Sequence, residues 1–235
     1  MAFVVDNITE TRWSWKIILG KARKSFPKIY DACIYVRFLT FKKSCNKNSL
    51  PILKYSDGSW VNRKTTKDLL RIQNYILQDE RELTVLQIGT GNSSFYMNAR
   101  SHLKKLVSIT IVQEEIEYAK QISSSDFGNM YKVKFENKYS GDLSALGGSF
   151  DYIIDNDLSS YACCKKHFFE MLSEYKKILA KEGCILIGLD GLRYFDSGFG
   201  LTEKLANSIF NHLGFEINKN NFCYVIKINK NNHIE

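Results

Sequence analysis

From about residue 65 onward the chain alternates short apolar runs with amphipathic stretches, and this alternation limits its fold more than any other feature. Thr65 and Thr66 can cap a helix whose apolar side holds Leu69, Leu70, Ile72, Ile76 and Leu77. Val85 to Ile88 reads as a short strand that ends at Gly89, and residues 94–102 as a helix. Leu106 to Val112 is a β-branched run, and Glu114 to Ile122 a helix. Strands follow at Tyr131 to Phe135 and Phe150 to Ile154, then a helix from His167 to Ala180. Cys184 to Leu189 is a continuous apolar strand and Thr202 to Leu213 a helix. Phe215 to Ile217 and Tyr224 to Ile228 close the chain as two strands without a helix between them. Strands alternating with helices predict an α/β fold, with a mostly parallel sheet covered on both faces. The last two strands predict an antiparallel hairpin on its edge.

Residues 1–64 do not share this rhythm and are expected to form a separate basic, aromatic-rich extension, with the α/β domain at 65–235. The formal net charge is +8 over 235 residues, and ten basic against three acidic residues fall in 1–50. Residues 84–235 are balanced, so the basicity belongs to the extension. That placement argues against nucleic-acid binding by the α/β domain itself. With 44% hydrophobic and 25% charged residues, the chain lies outside the disordered and fibrous classes. No basic-then-apolar leader and no membrane-length apolar run is present, so a cytoplasmic protein is expected. The six cysteines show neither C-x-x-C spacing nor a partnered His-x-x-x-His, and neither a zinc site nor a disulfide framework is expected.

In an open parallel sheet, ligands bind outside the carboxyl ends of the strands. The turn after the first strand, Gly89-Thr90-Gly91-Asn92-Ser93, carries two glycines that permit a tight turn and close backbone approach to a ligand. Further along come Thr110 to Lys120, Gly141-Asp142-Leu143 with Phe150 to Asp155, and Ile178 to Ile187. This ordered set resembles the class I S-adenosylmethionine-dependent methyltransferases over roughly residues 65–228. It implies their Rossmann-like, seven-stranded fold and S-adenosylmethionine as cofactor. By that resemblance Gln87, Gly89, Thr90, Gly91, Asn92 and Ser93 surround the methionine half. Thr110 and Ile111 lie at the ribose and adenine, Asp142 and Leu143 at the adenine edge, and Asp155 faces the reacting centre.

Two departures stand out. Gln87 replaces the acid that precedes the glycines, and Thr110 replaces the acid that grips the ribose hydroxyls. A threonine makes no charge-assisted hydrogen bond, a loss of about 1 kcal/mol or more in cofactor affinity unless Gln113 or Glu114 substitutes. The missing acid also argues against NAD. A fold that binds without catalysing stays open.

The Asp155-x-Asp157-x-x-x-Tyr161 spacing is similar to that of the metal-dependent catechol and caffeoyl-type O-methyltransferases. Asp155 and Asp190 would be the divalent-metal ligands in that comparison. Two carboxylates make a thin site, and Gly191 stands where the family has Asn, so no metal is expected. The other reading of the 155–161 segment is a loop that caps the next helix. The Asn/Asp-Pro-Pro-aromatic sequence of amine methyltransferases is absent, which favours a hydroxyl acceptor, with Asp155, His167 or Asp190 as base. The loop after the fifth strand supplies Arg193 and Tyr194, and Tyr161 joins them as an acceptor contact. The extension reads as a helical cap that packs its aromatics on the sheet, or as a lid in which Tyr55, Trp60 and Arg63 close over the pocket and suit a small anionic or sugar-like acceptor. An RNA or protein acceptor docked by the basic segment, or that segment on an acidic membrane surface, are the alternatives. The sequence does not set an oligomeric state.

Overall fold

The computed structural model describes residues 25–41, 60–193 and 198–230. Its elements run α1 (Pro27–Thr40), α2 (Lys67–Ile76), β1 (Leu83–Ile88), α3 (Ser94–Ala99), β2 (Leu103–Thr110) and α4 (Gln113–Ile122). Then follow β3 (Tyr131–Phe135), β4 (Phe150–Ile154), α5 (Lys165–Ile178), β5 (Leu179–Gly188), α6 (Glu203–His212), β6 (Phe215–Lys219) and β7 (Cys223–Ile228). Single 3-10 turns lie at Arg100–His102 and Leu143–Leu146. The seven strands form one sheet in the order β3-β2-β1-β4-β5-β7-β6. The first five are parallel, and β7 runs antiparallel between β5 and β6. The expected α/β sheet with a closing hairpin is what the chain forms.

Side-chain alternation along each strand feeds two cores. Leu86, Ile153, Ile185, Ile187 and Ile226 face one side, where Phe168, Met171, Leu172 and Tyr175 of α5 and Phe210 of α6 cover them. Val85, Ile154, Leu186 and Val225 face the other, under Ile72 and Ile76 of α2, Phe95 and Tyr96 of α3, and Ala119 of α4. Thr66 caps α2 by accepting from the Leu69 amide, as its sequence suggests. Leu70, by contrast, is exposed, and the buried side of α2 includes Asp68 and Gln73.

Several boundaries differ from the sequence reading. β2 spans Leu103–Thr110, because the Thr110 hydroxyl accepts from the Val112 amide at 3.1 Å and turns the chain into α4. α5 begins at Lys165, two residues early, since the Cys164 sulfur caps it. α5 also ends at Ile178, and the chain is already extended at Leu179. Glu182-Gly183 lies inside β5, not before it: a side chain at Gly183 would sit 2.6 Å from the Phe150 carbonyl of the adjacent strand.

α1 packs on the α5 side of the sheet. Phe38 meets Phe199 edge-on at 5.1 Å, and Arg37 Nε donates to the Gly198 carbonyl at 3.0 Å. Tyr30, Ile34 and Phe38 are its buried residues. Most of the basic residues of 1–50 lie outside the described residues.

Candidate functional site

At the carboxyl ends of β1 and β4 lies a cleft of 240 Å³. The glycine turn after β1 forms its floor, Trp60, Arg63 to Thr66 and Leu69 one wall, and Glu115, Asn156 and Asp157 complete it. Gly89 (φ 83°), Gly91 (φ 54°) and Ser93 (φ 57°) all have left-handed backbone, which puts three reversals into five residues. Glycine adopts this conformation without a steric penalty. A Cβ built on Gly89 or Gly91 would meet nothing within 4 Å, so open space stands above the turn.

The polar groups around the turn divide between holding it and facing the cleft. Gln87 is buried, and its side-chain amide donates to the Gly89 carbonyl at 2.9 Å. Asn92 Nδ2 donates to the Arg63 and Val61 carbonyls at 2.8 and 3.1 Å, tying the 60–64 segment over the turn. Ser93 is buried and shares a 3.0 Å hydrogen bond with the Tyr131 hydroxyl. Thr90 differs from these. Its Oγ1 is buried with no hydrogen-bond partner, a state that favours a ligand able to supply one.

Thr110 donates its hydroxyl to Glu115 Oε2 at 2.5 Å. Glu115 is almost fully buried on α4, and it was not among the expected site residues; Gln113 and Glu114 were the substitutes considered. Its place on α4, beside Ile116 and Ala119 among the buried residues, turns it inward. The carboxyl is raised above the ordinary glutamate range by burial. Hydrogen bonds from Thr110 and from the Gly91 and Thr90 amides, with the nearby Arg63 charge, pull in the opposite direction. A carboxyl group therefore stands against the glycine turn, where Thr110 alone would leave a hydroxyl.

The residues expected at the adenine lie outside the lining of this cleft. Asp142 is exposed and accepts from Ser144 Oγ at 2.9 Å, at the start of the Leu143–Leu146 turn. Leu143 is fully buried in the α5-side core, and Ile111 is half-buried beside Thr110.

Asp155 was expected to face the reacting centre and is instead committed elsewhere. It is 1% exposed, and Lys138 Nζ donates to its two oxygens at 2.9 and 3.0 Å while the Tyr175 hydroxyl donates to Oδ2 at 2.8 Å. Lys138 also donates to the Asp157 and Leu158 carbonyls at 2.8 and 3.0 Å. Burial, and next the Asp155 charge, hold the Tyr139 and Tyr175 phenols far above their usual range, so both remain donors. With its oxygens so occupied, Asp155 has little capacity left for a proton or a metal.

Asp190 is exposed, and its amide donates to Asp68 Oδ2 at 2.8 Å. The residues that reach the cleft from the segment after β4 are Asn156 and Asp157. Asn156 Oδ1 also accepts from the Gly188 amide at 2.9 Å, which joins the ends of β4 and β5. Of the expected acceptor contacts, Trp60 and Arg63 line the cleft, Trp60 packing edge-on against Tyr118 at 5.4 Å. Arg193 pairs with Asp31 of α1 at 3.2 Å, and Tyr161 packs on the α5-side core with φ 59°. Tyr55 and Tyr194 lie outside the described residues.

His167, a candidate base, is buried, with Nδ1 2.9 Å from Cys163 Sγ. Cys163, Cys164 and His167 present their donor atoms within 4.8 Å of one another. The C-C-x-x-H spacing that brings them together is outside the C-x-x-C rule applied to the sequence. Among the described residues no helix is long and apolar enough to cross a membrane.

These features have counterparts in known proteins. A methyltransferase-domain family matches residues 79–194. No curated protein matches the chain. Among solved structures, the sugar N-methyltransferase from a Streptoalloteichus species is similar at TM-score 0.55 and 10% identity, covering 81% of this chain and 98% of its own. The CcbJ methyltransferase from Streptomyces caelestis is similar at TM-score 0.55 and 9% identity, covering 72% and 92%. The N-methyltransferase NodS from Bradyrhizobium japonicum is similar at TM-score 0.51 and 14% identity, covering 68% and 94%. Likeness at such identity speaks to the fold, and the domain match and the glycine turn agree with it. What they support together is S-adenosylmethionine-dependent methyl transfer in general, with the acceptor unassigned. The chain has the fold of the class I S-adenosylmethionine-dependent methyltransferase superfamily, and residues 79–194 are similar to a methyltransferase-domain family.

Proposed function

We propose that the protein transfers the methyl group of S-adenosylmethionine to a hydroxyl oxygen of a small polar acceptor, anionic or sugar-like. One observation carries this reading: the open glycine turn, the buried Glu115 carboxyl and Asp157 all line one small cleft. The residues fit the cofactor. The empty space above Gly89 and Gly91 admits a ligand to the backbone, and buried Thr90 Oγ1 has hydrogen-bonding capacity to spare. Bound there, the cofactor supplies an electrophilic methyl on a sulfonium.

The chain's own residues would bind, orient and accept a proton. The open space over Gly89 and Gly91 would take the methionine half of the cofactor against the turn. Glu115 accepts from the ribose hydroxyls in place of the acid missing at Thr110, and Thr110 holds it in position. Gln87 and Asn92 act by fixing the turn and the 60–64 wall. Asp157, which lines the cleft and is exposed, takes the acceptor proton. Arg63 and Lys64 line the same cleft and would attract an acidic acceptor. Alignment in a confined site supplies most of the acceleration in such a displacement.

Calorimetry with S-adenosylhomocysteine tests the first half. Saturable one-to-one binding is expected, and no heat at millimolar ligand would favour a fold that no longer binds the cofactor. For the second half, labelled methyl transfer is followed over a panel of hydroxy acids and sugars. Asp157→Asn should lower kcat about 100-fold with unchanged affinity for S-adenosylhomocysteine. Undiminished turnover would remove Asp157 as the base, and label recovered only on nitrogen would remove the hydroxyl assignment.

A further inference from the structure

The segment after β4 ends in two adjacent cysteines at the start of α5, a helix of 14 residues. Cys164 is the extended residue that caps it, with φ −164° and ψ 168°, and its sulfur accepts from the His167 amide at 3.4 Å. His167, one turn on, returns to the same side of the helix. There its Nδ1 lies 2.9 Å from Cys163 Sγ, and all three donor atoms fall within 4.8 Å. The other ring nitrogen, Nε2, lies 3.5 Å from Glu170 Oε2. With the ring proton on Nε2, toward that carboxylate, the Nδ1 lone pair faces the sulfurs, the orientation a metal-ligating histidine needs.

We propose that Cys163, Cys164 and His167 bind one zinc ion, with Glu170 as the carboxylate behind His167 and a water at the fourth position. Two thiolates and an imidazole are a donor set suited to zinc and unsuited to magnesium or calcium. Tetrahedral zinc with ordinary bond lengths sets its donors roughly 3.6–3.8 Å apart, so the cluster needs only small side-chain movements to receive it. Binding displaces the two thiol protons to solvent as two sulfur–metal bonds form, so affinity rises with pH. The remaining described cysteines serve as contrasts. Cys184 and Cys223 are buried in the other core with thiols pushed up to about 12, and Cys33 lies apart on α1. This inference is independent of the methyl-transfer reading.

Cobalt substitution tests it on the full chain. After dialysis against a chelator under reducing conditions, one equivalent of Co(II) should give the visible bands of a tetrahedral ion and an ultraviolet thiolate-to-cobalt band. One equivalent of Zn(II) should abolish both, and Mg(II) should change neither. The Cys163→Ser/Cys164→Ser double variant should lose the thiolate band, while Cys33→Ser and Cys184→Ser keep it. Glu170→Gln should bind about 10- to 100-fold more weakly at the same stoichiometry. Absence of the thiolate band at stoichiometric cobalt, or its survival in the double variant, would overturn the site. Circular dichroism checks the double variant, and if it does not fold, His167→Gln decides: it retains both sulfurs and should bind at least about 10-fold more weakly. Unchanged affinity there would exclude His167 as a ligand and overturn the proposal.

Discussion

Two stretches of the same sheet edge are built on opposite lines. At the β1 end, Gly89 and Gly91 leave open space and Thr90 keeps an unpartnered buried hydroxyl. At the β4–β5 end, Lys138 spends four hydrogen bonds on Asp155 and two carbonyls, and Tyr139 reaches the Leu158 and Ser160 carbonyls. Asn156 and Asp68 join that end to the Gly188 and Asp190 amides. The contrast shows where polar capacity is left for a ligand and where it has been used within the fold. Polar character alone did not distinguish them, since both stretches read in the sequence as polar turns after a strand.

The largest effect should come from breaking the closed end. Lys138→Met leaves Asp155 buried without its cation and is expected to cost about 3–5 kcal/mol in urea unfolding. Adding Asp155→Leu should restore much of that loss, because a buried pair replaced together leaves no orphaned charge. Equal destabilisation by both variants would show that the pair is not the source of the rigidity.

Two glycine substitutions sharpen the comparison further. A Cβ at Gly188 would overlap Asn156 Oδ1 and the Asp68 side chain. Gly188→Ala should therefore lower the melting temperature while any properly folded fraction still binds S-adenosylhomocysteine. At Gly89 the added Cβ meets nothing, but φ is 83°, so Gly89→Ala should cost about 1–2 kcal/mol. It should also weaken the same ligand at least about tenfold by tilting the turn. If Gly188→Ala were the variant that loses the ligand while keeping its stability, the assignment of open and closed ends would be reversed.

The smallest effect concerns Glu115, and its sign is opposite in stability and in binding. Its carboxyl is raised, chiefly by burial, so between the ordinary glutamate range and its higher folded value the native chain holds more proton than the unfolded one. Stability from this group is therefore present at low pH and falls as pH rises through that window. Glu115→Gln should flatten this slope and leave the protein slightly more stable at pH 7, while weakening S-adenosylhomocysteine. A steeper pH dependence in the variant, from denaturant melts at several pH values, would contradict the assignment.

Much of the fold is legible in the chain because local periodicity and burial agree. Alternating apolar runs and helical stripes carry β1 through β7 in order, and Thr66 and Thr202 cap their helices through short-range hydrogen bonds. The glycine turn is legible for the same reason, since its left-handed backbone is a property of the residues themselves. Glu115 and Glu114 are adjacent and chemically alike, and only the turn of α4 against the glycine loop makes one the buried partner of Thr110. Lys138 reads as one lysine among many until it is placed 17 residues from its partner Asp155.

The sequence alone thus determined the parallel α/β sheet, its closing hairpin and the β1 turn, all governed by residue-level periodicity and backbone freedom. Tertiary structure decided which carboxylates are spent and which line the cleft, and that Cys163, Cys164 and His167 converge. Those outcomes depend on desolvation and on contacts between separate elements, and burial fixes both only when the layers meet.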